Sequence, residues 1–243
     1  QYANEEVKKM IAVDFINHIS TLQNGDHLIS ANSALYVLNG KTYKLDIVKT
    51  LPAERGETNF AMQAANGLIW VGTGKGLYCL DSAFNYLTRT DEVFAQKFVT
   101  TGFVQQDNSL LFSFRDGLYT ARFEKGRIGI TKKSVIFDGV QLSTLYVDEK
   151  GVLWASSDNG IYRFDPSSSK LNLFDRSDNI QGYHFNSNSF FRDDDGTLYV
   201  GGINGINYWN PATFTPPSQS FEAYINSAQV DSREYSMYNF RYL

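Results

Sequence analysis

Five residues in the C-terminal half of the chain have the side chains best suited to hydrogen-bond a ligand. They are Arg176, Tyr183, His184, Asn186 and Asn188. Guanidinium, phenol, imidazole and amide groups donate and accept hydrogen bonds in several directions, and the aromatic rings add apolar faces. We predict that these residues contribute to a ligand-binding surface. A solvated loop that binds nothing is the alternative that the residues leave open.

Metal chemistry is not indicated by the sequence. His18, His27 and His184 do not form an H-x-x-x-H or H-E-x-x-H pattern. The run at 193–196, Asp-Asp-Asp-Gly, lacks EF-hand spacing because Phe191 occupies the first position where an oxygen ligand is needed. We interpret this run as an acidic turn and predict no metal and no cofactor.

Catalytic carboxylates are not indicated either. Glycoside hydrolysis needs two acids held about 5–10 Å apart in a pocket. Acids such as Asp81, Asp165 and Asp175 follow predicted outer strands, where exposed turns are expected. No nucleophile elbow is present. We therefore predict no catalytic residues and a non-enzymatic chain.

Composition excludes several classes of protein. The 243 residues carry a net charge of −4, which argues against a nucleic-acid footprint or a polybasic membrane patch. Aromatic residues make up 15% of the chain, enough apolar surface to exclude disorder. The single cysteine, Cys79, excludes an intramolecular disulfide and a multi-cysteine metal site. No apolar run reaches the roughly 18 residues that span a bilayer, and the N-terminus lacks signal-peptide order.

The elements that must position these residues repeat five times. Each copy reads turn, short apolar strand, small residues, Gly or Ala, then Leu or Ile, and the small residue before Leu or Ile falls at positions 34, 76, 117, 160 and 205. The spacings of 42, 41, 43 and 45 residues, with β-type composition, predict an all-β fold of propeller blades, each a four-stranded antiparallel sheet. In the third copy the predicted strands cover 99–105, 109–114, 118–123 and 127–137.

Glycines and aromatic residues recur at fixed places in the repeat. Gly in Asp-Gly and Asn-Gly pairs favours tight hairpin turns, because it adopts positive φ without steric cost. We predict that Trp70, Trp154 and Tyr199 pack between neighbouring blades. The space between blades narrows toward the propeller axis, and small residues such as Gly72 and Gly201 fit there. The turn glycines are Gly67, Gly151 and Gly196 for the first hairpin, and Gly76, Gly117, Gly160 and Gly205 for the second.

The phrase at 67–78, GLIWVGTGKGLY, resembles the two-component regulator propeller repeat, D-G-x-L-W-x-G-T-x-x-G-L. The copy at 150–165 has Ala-Ser-Ser where Gly-Thr is usual, and the first and third copies are more degenerate. The last copy, from Asp195 to Ile206 and ending in Asn-Pro at 210–211, resembles the final repeat of propeller sensors in hybrid two-component systems of Bacteroides-type bacteria. The resemblance covers about residues 12–214.

The resemblance implies the periplasmic portion of an inner-membrane sensor that recognises oligosaccharides and relays the signal to a histidine kinase. Neither a kinase motif nor a transmembrane helix is in this chain. Any membrane attachment, and a homodimer or higher oligomer, would come through the parent sensor. Arg176, Tyr183, His184, Asn186 and Asn188 would then bind the sugar.

Domain organisation follows from the same resemblance. Residues 1–214 are expected to form the blades, and 215–243 to begin a Tyr-rich immunoglobulin-like domain or a linker. Family sensors carry seven-bladed propellers, so the five repeats are interpreted as part of a seven-bladed ring, with closure of five blades as the alternative. Two other functions stay open: a lyase-type propeller enzyme and a protein-interaction scaffold, although the Trp-Asp dipeptide of scaffold repeats is absent.

Overall fold

The computed structural model describes residues 15–89, 97–114, 117–134, 136–215, 227–230 and 233–236, the last two segments as backbone only. The chain divides into two compact units, Gln1–Pro211 and Ala212–Leu243. Within the described residues the first unit contains five antiparallel sheets, each of which is one blade.

The blades follow one another along the chain, and the first strand of each is the innermost. Blade 1 comprises β1 (Ile16–Thr21), β2 (His27–Ala31), β3 (Ala34–Leu38) and β4 (Leu45–Thr50). Blade 2 comprises β5 (Thr58–Gln63), β6 (Ile69–Thr73), β7 (Gly76–Leu80) and β8 (Tyr86–Arg89). Blade 3 comprises β9 (Thr101–Val104), β10 (Leu110–Phe114), β11 (Gly117–Glu124) and β12 (Arg127–Ser134).

Blade 4 comprises β13 (Leu142–Val147), β14 (Leu153–Ser157), β15 (Gly160–Asp165) and β16 (Lys170–Phe174). Blade 5 is described with three strands, β17 (Phe185–Arg192), β18 (Leu198–Gly202) and β19 (Gly205–Trp209). Two single turns of 3-10 helix, Ala53–Arg55 and Arg176–Asp178, precede blades 2 and 5.

The predicted all-β propeller is therefore confirmed, and the strands predicted in the third copy match β9 to β12 to within three residues at each end. The seven turn glycines all have positive φ, as predicted: 77° to 86° in the first hairpins and 125° to 138° in the second. The assignment of these blades to a seven-bladed ring stays a prediction. So does a domain boundary after residue 214.

Apolar cores lie between successive blades, where their sheets face each other. One core joins blades 1 and 2, a second joins blades 2 and 3 around Trp70 and Phe112, and a third joins blades 3 and 4. Trp154 is buried and its ring lies 5.1 Å from that of Trp209 in blade 5. Tyr199 is only partly buried, because no described blade packs against that face of blade 5.

The second unit is described through one antiparallel hairpin, β20 (Ser227–Val230) and β21 (Arg233–Ser236). A two-stranded hairpin does not identify a fold class. The Tyr-rich domain expected from residue 215 onward stays a prediction.

Candidate functional site

A small polar residue marks the beginning of each innermost strand. In blades 1, 2 and 4 this residue is an extra one that bulges out of the ladder, at Asn17, Asn59 and Ser143. Thr100 holds the corresponding place directly before β9. In blade 5 the ladder skips from Phe185 to Phe190, and Asn188 lies within the enlarged bulge. We call Asn17, Asn59, Thr100, Ser143 and Asn188 the axial residues.

The three asparagines among the axial residues connect one blade to another through hydrogen bonds to backbone carbonyls. Asn17 Nδ2 donates to the carbonyl oxygen of Thr58 at 2.9 Å, which links blade 1 to blade 2. Asn59 Nδ2 donates to the carbonyl oxygen of Val99 at 2.7 Å, which links blade 2 to blade 3. A buried carbonyl without a partner is costly, so these bonds fix the spacing of neighbouring blades.

Asn188 reaches farthest across the ring. Its Nδ2 donates to the carbonyl oxygen of Asn59 at 3.0 Å and to that of Thr100 at 3.3 Å. Because Asn188 belongs to blade 5 and its acceptors to blades 2 and 3, it lies at the centre of the ring. Its Oδ1 and the buried Thr100 Oγ1 have no hydrogen-bond partner among the described residues.

The enlarged bulge also opens into a cleft between blades 1 and 5. This inter-blade cleft has a volume of about 790 Å³ and is lined by β1 on one side and by β17, β18 and the start of β19 on the other. Asn186 is exposed and lines it, together with Asn188. Ligand sites of small molecules have similar volumes and combine apolar walls with a few polar groups.

The walls of the cleft carry apolar side chains that would be buried between blades elsewhere in the ring. Ile16 and Ile19 on β1 are 51% and 56% exposed, and Phe191 and Ile206 on blade 5 are 61% and 65% exposed. Tyr199 stacks on Tyr208 with ring centroids 6.0 Å apart, which adds an aromatic surface. Apolar and aromatic walls next to two amides suit a ligand with both apolar faces and hydroxyl groups.

His18 lines the same cleft and is held uncharged at neutral pH. Burial is the main cause that lowers its pKa to about 4, against a hydrogen bond to the Ala61 backbone that acts in the opposite direction. Its Nδ1 has no partner among the described residues. The cleft lining contains no carboxylate within the described residues, so no acid–base pair is present there.

The other three predicted residues lie on the surface where the chain enters blade 5. Arg176 is part of the 3-10 turn before this blade, and its guanidinium carbon lies 5.9 Å from the ring centroid of Tyr183. His184 Nδ1 lies 3.5 Å from Asp158 Oδ1, and both side chains are exposed. The five predicted residues therefore form a surface set of three and a pair in the β17 bulge, the exposed Asn186 and the partly buried Asn188.

The axial residues have a signal in the sequence that lies in their spacing and not in a local motif. From Asn17 to Asn188 they recur at spacings of 42, 41, 43 and 45 residues, the same spacings as the blade repeat. Gln181 was also missed. Its Oε1 accepts from the Asn204 backbone at 2.9 Å and its own N–H donates to Asn207 Oδ1 at 3.0 Å, which ties the loop before β17 to blade 5.

No group of three or more His, Cys, Asp or Glu in the described part of the chain is arranged to hold a metal ion. No helix among the described residues is long and apolar enough to span a bilayer.

No protein-family model matches the sequence, and no curated protein matches it. Solved structures share its fold. The extracellular domain of a B. thetaiotaomicron protein assigned as the hybrid two-component system BT3049 is 19% identical, with a TM-score of 0.64 over 81% of this chain and 28% of that one. A second extracellular domain from B. thetaiotaomicron, of BT4673, is also 19% identical, with a TM-score of 0.59 over 82% of this chain and 28% of that one.

An enzyme shares the fold as well. Virginiamycin B lyase from Staphylococcus aureus is 14% identical, with a TM-score of 0.60 over 81% of this chain and 67% of that one. At these identities the similarity shows the fold alone, and it confirms the resemblance to two-component propellers at that level. The chain spans little more than a quarter of the length of these two extracellular domains.

Proposed function

We propose that this chain is the ligand-sensing propeller region of a two-component sensor. It lies in the periplasm as part of an inner-membrane protein, binds an oligosaccharide, and passes the signal to a histidine kinase outside this chain. The fold shared with two extracellular domains of bacterial sensor systems supports the location and the class of protein. A homodimer formed through the parent sensor belongs to the same proposal.

One observation carries the choice of ligand. The enlarged bulge of β17 presents the amide of Asn186 in a cleft with Phe191 and Tyr199 on its wall. A sugar offers apolar C–H faces to aromatic rings and hydroxyl groups to planar amides, so this combination suits it. The polar surface continues where the chain enters blade 5, through Arg176, Tyr183 and His184.

Calorimetry with purified protein tests the proposal. Maltotriose, cellotriose, xylotriose and mannotriose are titrated into the wild type, Asn186→Ala and a control, Asn24→Ala, whose side chain bonds only locally to Asp26. We expect Asn186→Ala to weaken binding about tenfold, the equivalent of one or two lost hydrogen bonds. The control should bind like the wild type. Equal affinities of all three proteins would contradict this site, and no binding to the wild type would contradict the proposed function.

A lyase-type enzyme is the second candidate, and one contact favours it. His184 lies beside Asp158 on an exposed surface, and an imidazole oriented by a carboxylate can act as a general base. The test is any turnover detected with a lyase substrate, measured for the wild type and His184→Ala. Turnover that survives this substitution would remove His184 from catalysis.

A further inference from the structure

A second cavity lies at the other end of the innermost strands. It has a volume of about 510 Å³ and is bounded by the ends of β9, β13 and β17 and by the turns that follow β9 and β13. We call it the turn-side groove. Its lining includes Phe103, Gln106, Asp107, Tyr146, Glu149 and Arg192.

The floor of the groove is a set of packed aromatic rings. Tyr146 is 9% exposed, lies edge-on to Phe103 at a centroid distance of 5.4 Å, and stacks on Phe190 at 5.2 Å. Its hydroxyl lies close enough to the Arg192 guanidinium for that charge to act against the effect of burial on its pKa. Burial raises the pKa of Tyr146, so the hydroxyl keeps its proton and can donate. The floor is therefore rigid and apolar, with one polar group at its edge.

Arg192 departs from the blade repeat. It is the last residue of β17 in the ladder, and the same register position holds Thr21, Gln63, Val104 and Val147 in the other blades. Blade packing thus does not require an arginine there. In a repeat protein, a charged residue at a position that other repeats fill with uncharged ones indicates a role outside the architecture.

Two contacts hold the Arg192 side chain over the groove. Its Nη2 lies 3.3 Å from Glu149 Oε1 in blade 4, and the guanidinium also interacts electrostatically with the nearby Tyr146 hydroxyl. Glu149 is 84% exposed, so this ion pair adds little to stability. The guanidinium has five N–H donors, more than these two contacts use. The remaining N–H donors are held in position and can donate hydrogen bonds to a ligand.

The acids around the groove accept hydrogen bonds from the protein, and each carboxylate, with about four acceptor sites, can accept more. Asp107 accepts from Ser109 and from Arg122, the latter at 2.5 Å. Asp148 accepts from Trp154 Nε1 at 3.1 Å and from backbone N–H groups. With Glu149 and Asp195, four carboxylates surround two guanidinium groups, so the local charge disfavours an anionic ligand.

We propose that the turn-side groove binds a neutral sugar unit, with Arg192 and Gln106 as donors, Asp107 and Glu149 as acceptors, and the partly exposed ring of Phe103, packed on Tyr146, beneath an apolar face of the sugar. The proposal rests on the proposed function in that it takes the ligand to be an oligosaccharide. It adds a second site, at the end of the propeller away from Asn186.

The three tryptophans provide a direct readout. Trp154 Nε1 donates to Asp148 at the edge of the groove. Trp70 Nε1 donates to the Asn108 carbonyl at 3.3 Å, in the turn that also carries Asp107, so its signal reports on the opposite side of the groove. Indole N–H signals of ¹⁵N-labelled protein are recorded during titration with maltotriose, cellotriose, xylotriose and mannotriose. We expect at least one sugar to shift the Trp154 signal.

Variants separate this site from the cleft. Arg192→Gln should weaken the Trp154 response about tenfold, and Tyr146→Phe, which keeps the aromatic floor, should weaken it less. Asn186→Ala should leave the response unchanged. Trigalacturonate should bind more weakly than the neutral sugars.

Three outcomes would contradict the proposal that the groove binds sugar. They are a Trp154 response that Arg192→Gln leaves unchanged, tighter binding of trigalacturonate, and sugar binding by calorimetry with no Trp154 shift. In each case sugar binding itself persists, so the proposed function stands. Absence of binding by every method contradicts both proposals.

Discussion

The ring of Phe60 occupies the space that a side chain at Gly72 would need. A Cβ built on Gly72 would lie 2.2 Å from Phe60 Cε1, and one built on Gly102 in the next blade would lie 2.6 Å from Phe60 Cζ. Phe60 is fully buried between these glycines. The small residues of the repeat thus leave room for one aromatic ring that spans two blades.

Gly72→Ala should therefore destabilise the propeller. Overpacking of a filled core costs about 1–3 kcal/mol, and the backbone at Gly72 is not in the left-handed region, so steric conflict alone sets the cost. The measurement is the free energy of unfolding in urea. Gly129→Ala is the matched control, because a Cβ there meets nothing within 4 Å. Equal stabilities of the two variants would contradict the packing argument.

The side chain of Asn188 should matter for stability, independently of any ligand. Asn188→Asp keeps the shape and tolerates the φ of 57°, but removes the amide that donates to Asn59 and Thr100. Two buried carbonyls lose their donor, and a charge is placed beside them. We expect a loss of about 2–3 kcal/mol in the free energy of unfolding.

Asn186→Asp is the control for this variant, since that side chain is exposed in the same bulge. A surface substitution of this kind changes stability by about 0.5 kcal/mol or less. If Asn188→Asp unfolds at the same denaturant concentration as Asn186→Asp, the central hydrogen bonds do not hold the ring together.

The blades were predictable because their signals are local. Gly76 and Gly160 mark hairpins within a few residues of the strands they join, and the period repeats five times. The contacts between blades were not predictable in this way. Arg192 meets Glu149 across 43 residues of chain, and Asn188 meets Asn59 across 129. Such pairs depend on blade rotation and on the long bulge of β17, neither of which leaves a local pattern.

Stability should depend on pH through His18. Its pKa of about 4 in the folded protein lies below the ordinary value of 6.5, so the unfolded chain binds the proton more readily between these values. The contribution of His18 to the free energy of unfolding is complete above about pH 6.5 and is lost as pH falls toward 4. The loss amounts to as much as about 3 kcal/mol. Urea unfolding at intervals from pH 7 to 4.5 measures it.

His18→Gln should flatten this pH dependence, because glutamine does not titrate. The pKa values of Asp107 and Asp195 are lowered by hydrogen bonds, first of all those from Ser109 and Thr197, so these carboxylates lose their contribution at lower pH. The pH range in which His18 affects stability is therefore separate from the lower range in which these carboxylates do. A slope between pH 6.5 and 4.5 that is the same in His18→Gln and the wild type would show that another group is responsible.

Cys79 should report the opening of blade 2. It is the only cysteine in the sequence and is fully buried in the core between blades 2 and 3. Burial raises the pKa of its thiol to about 12, so almost no thiolate exists at pH 8. We expect no reaction with a thiol reagent such as DTNB in the native protein and one equivalent in denaturant.

The rate of labelling without denaturant then measures how often this core opens. Gly72→Ala weakens the same core and should accelerate labelling, whereas Asn186→Ala, on the cleft between blades 1 and 5, should not. Rapid labelling of the wild type at pH 8 would mean that blades 2 and 3 separate readily. That result would contradict the close packing of Phe60 and Trp70 in this core.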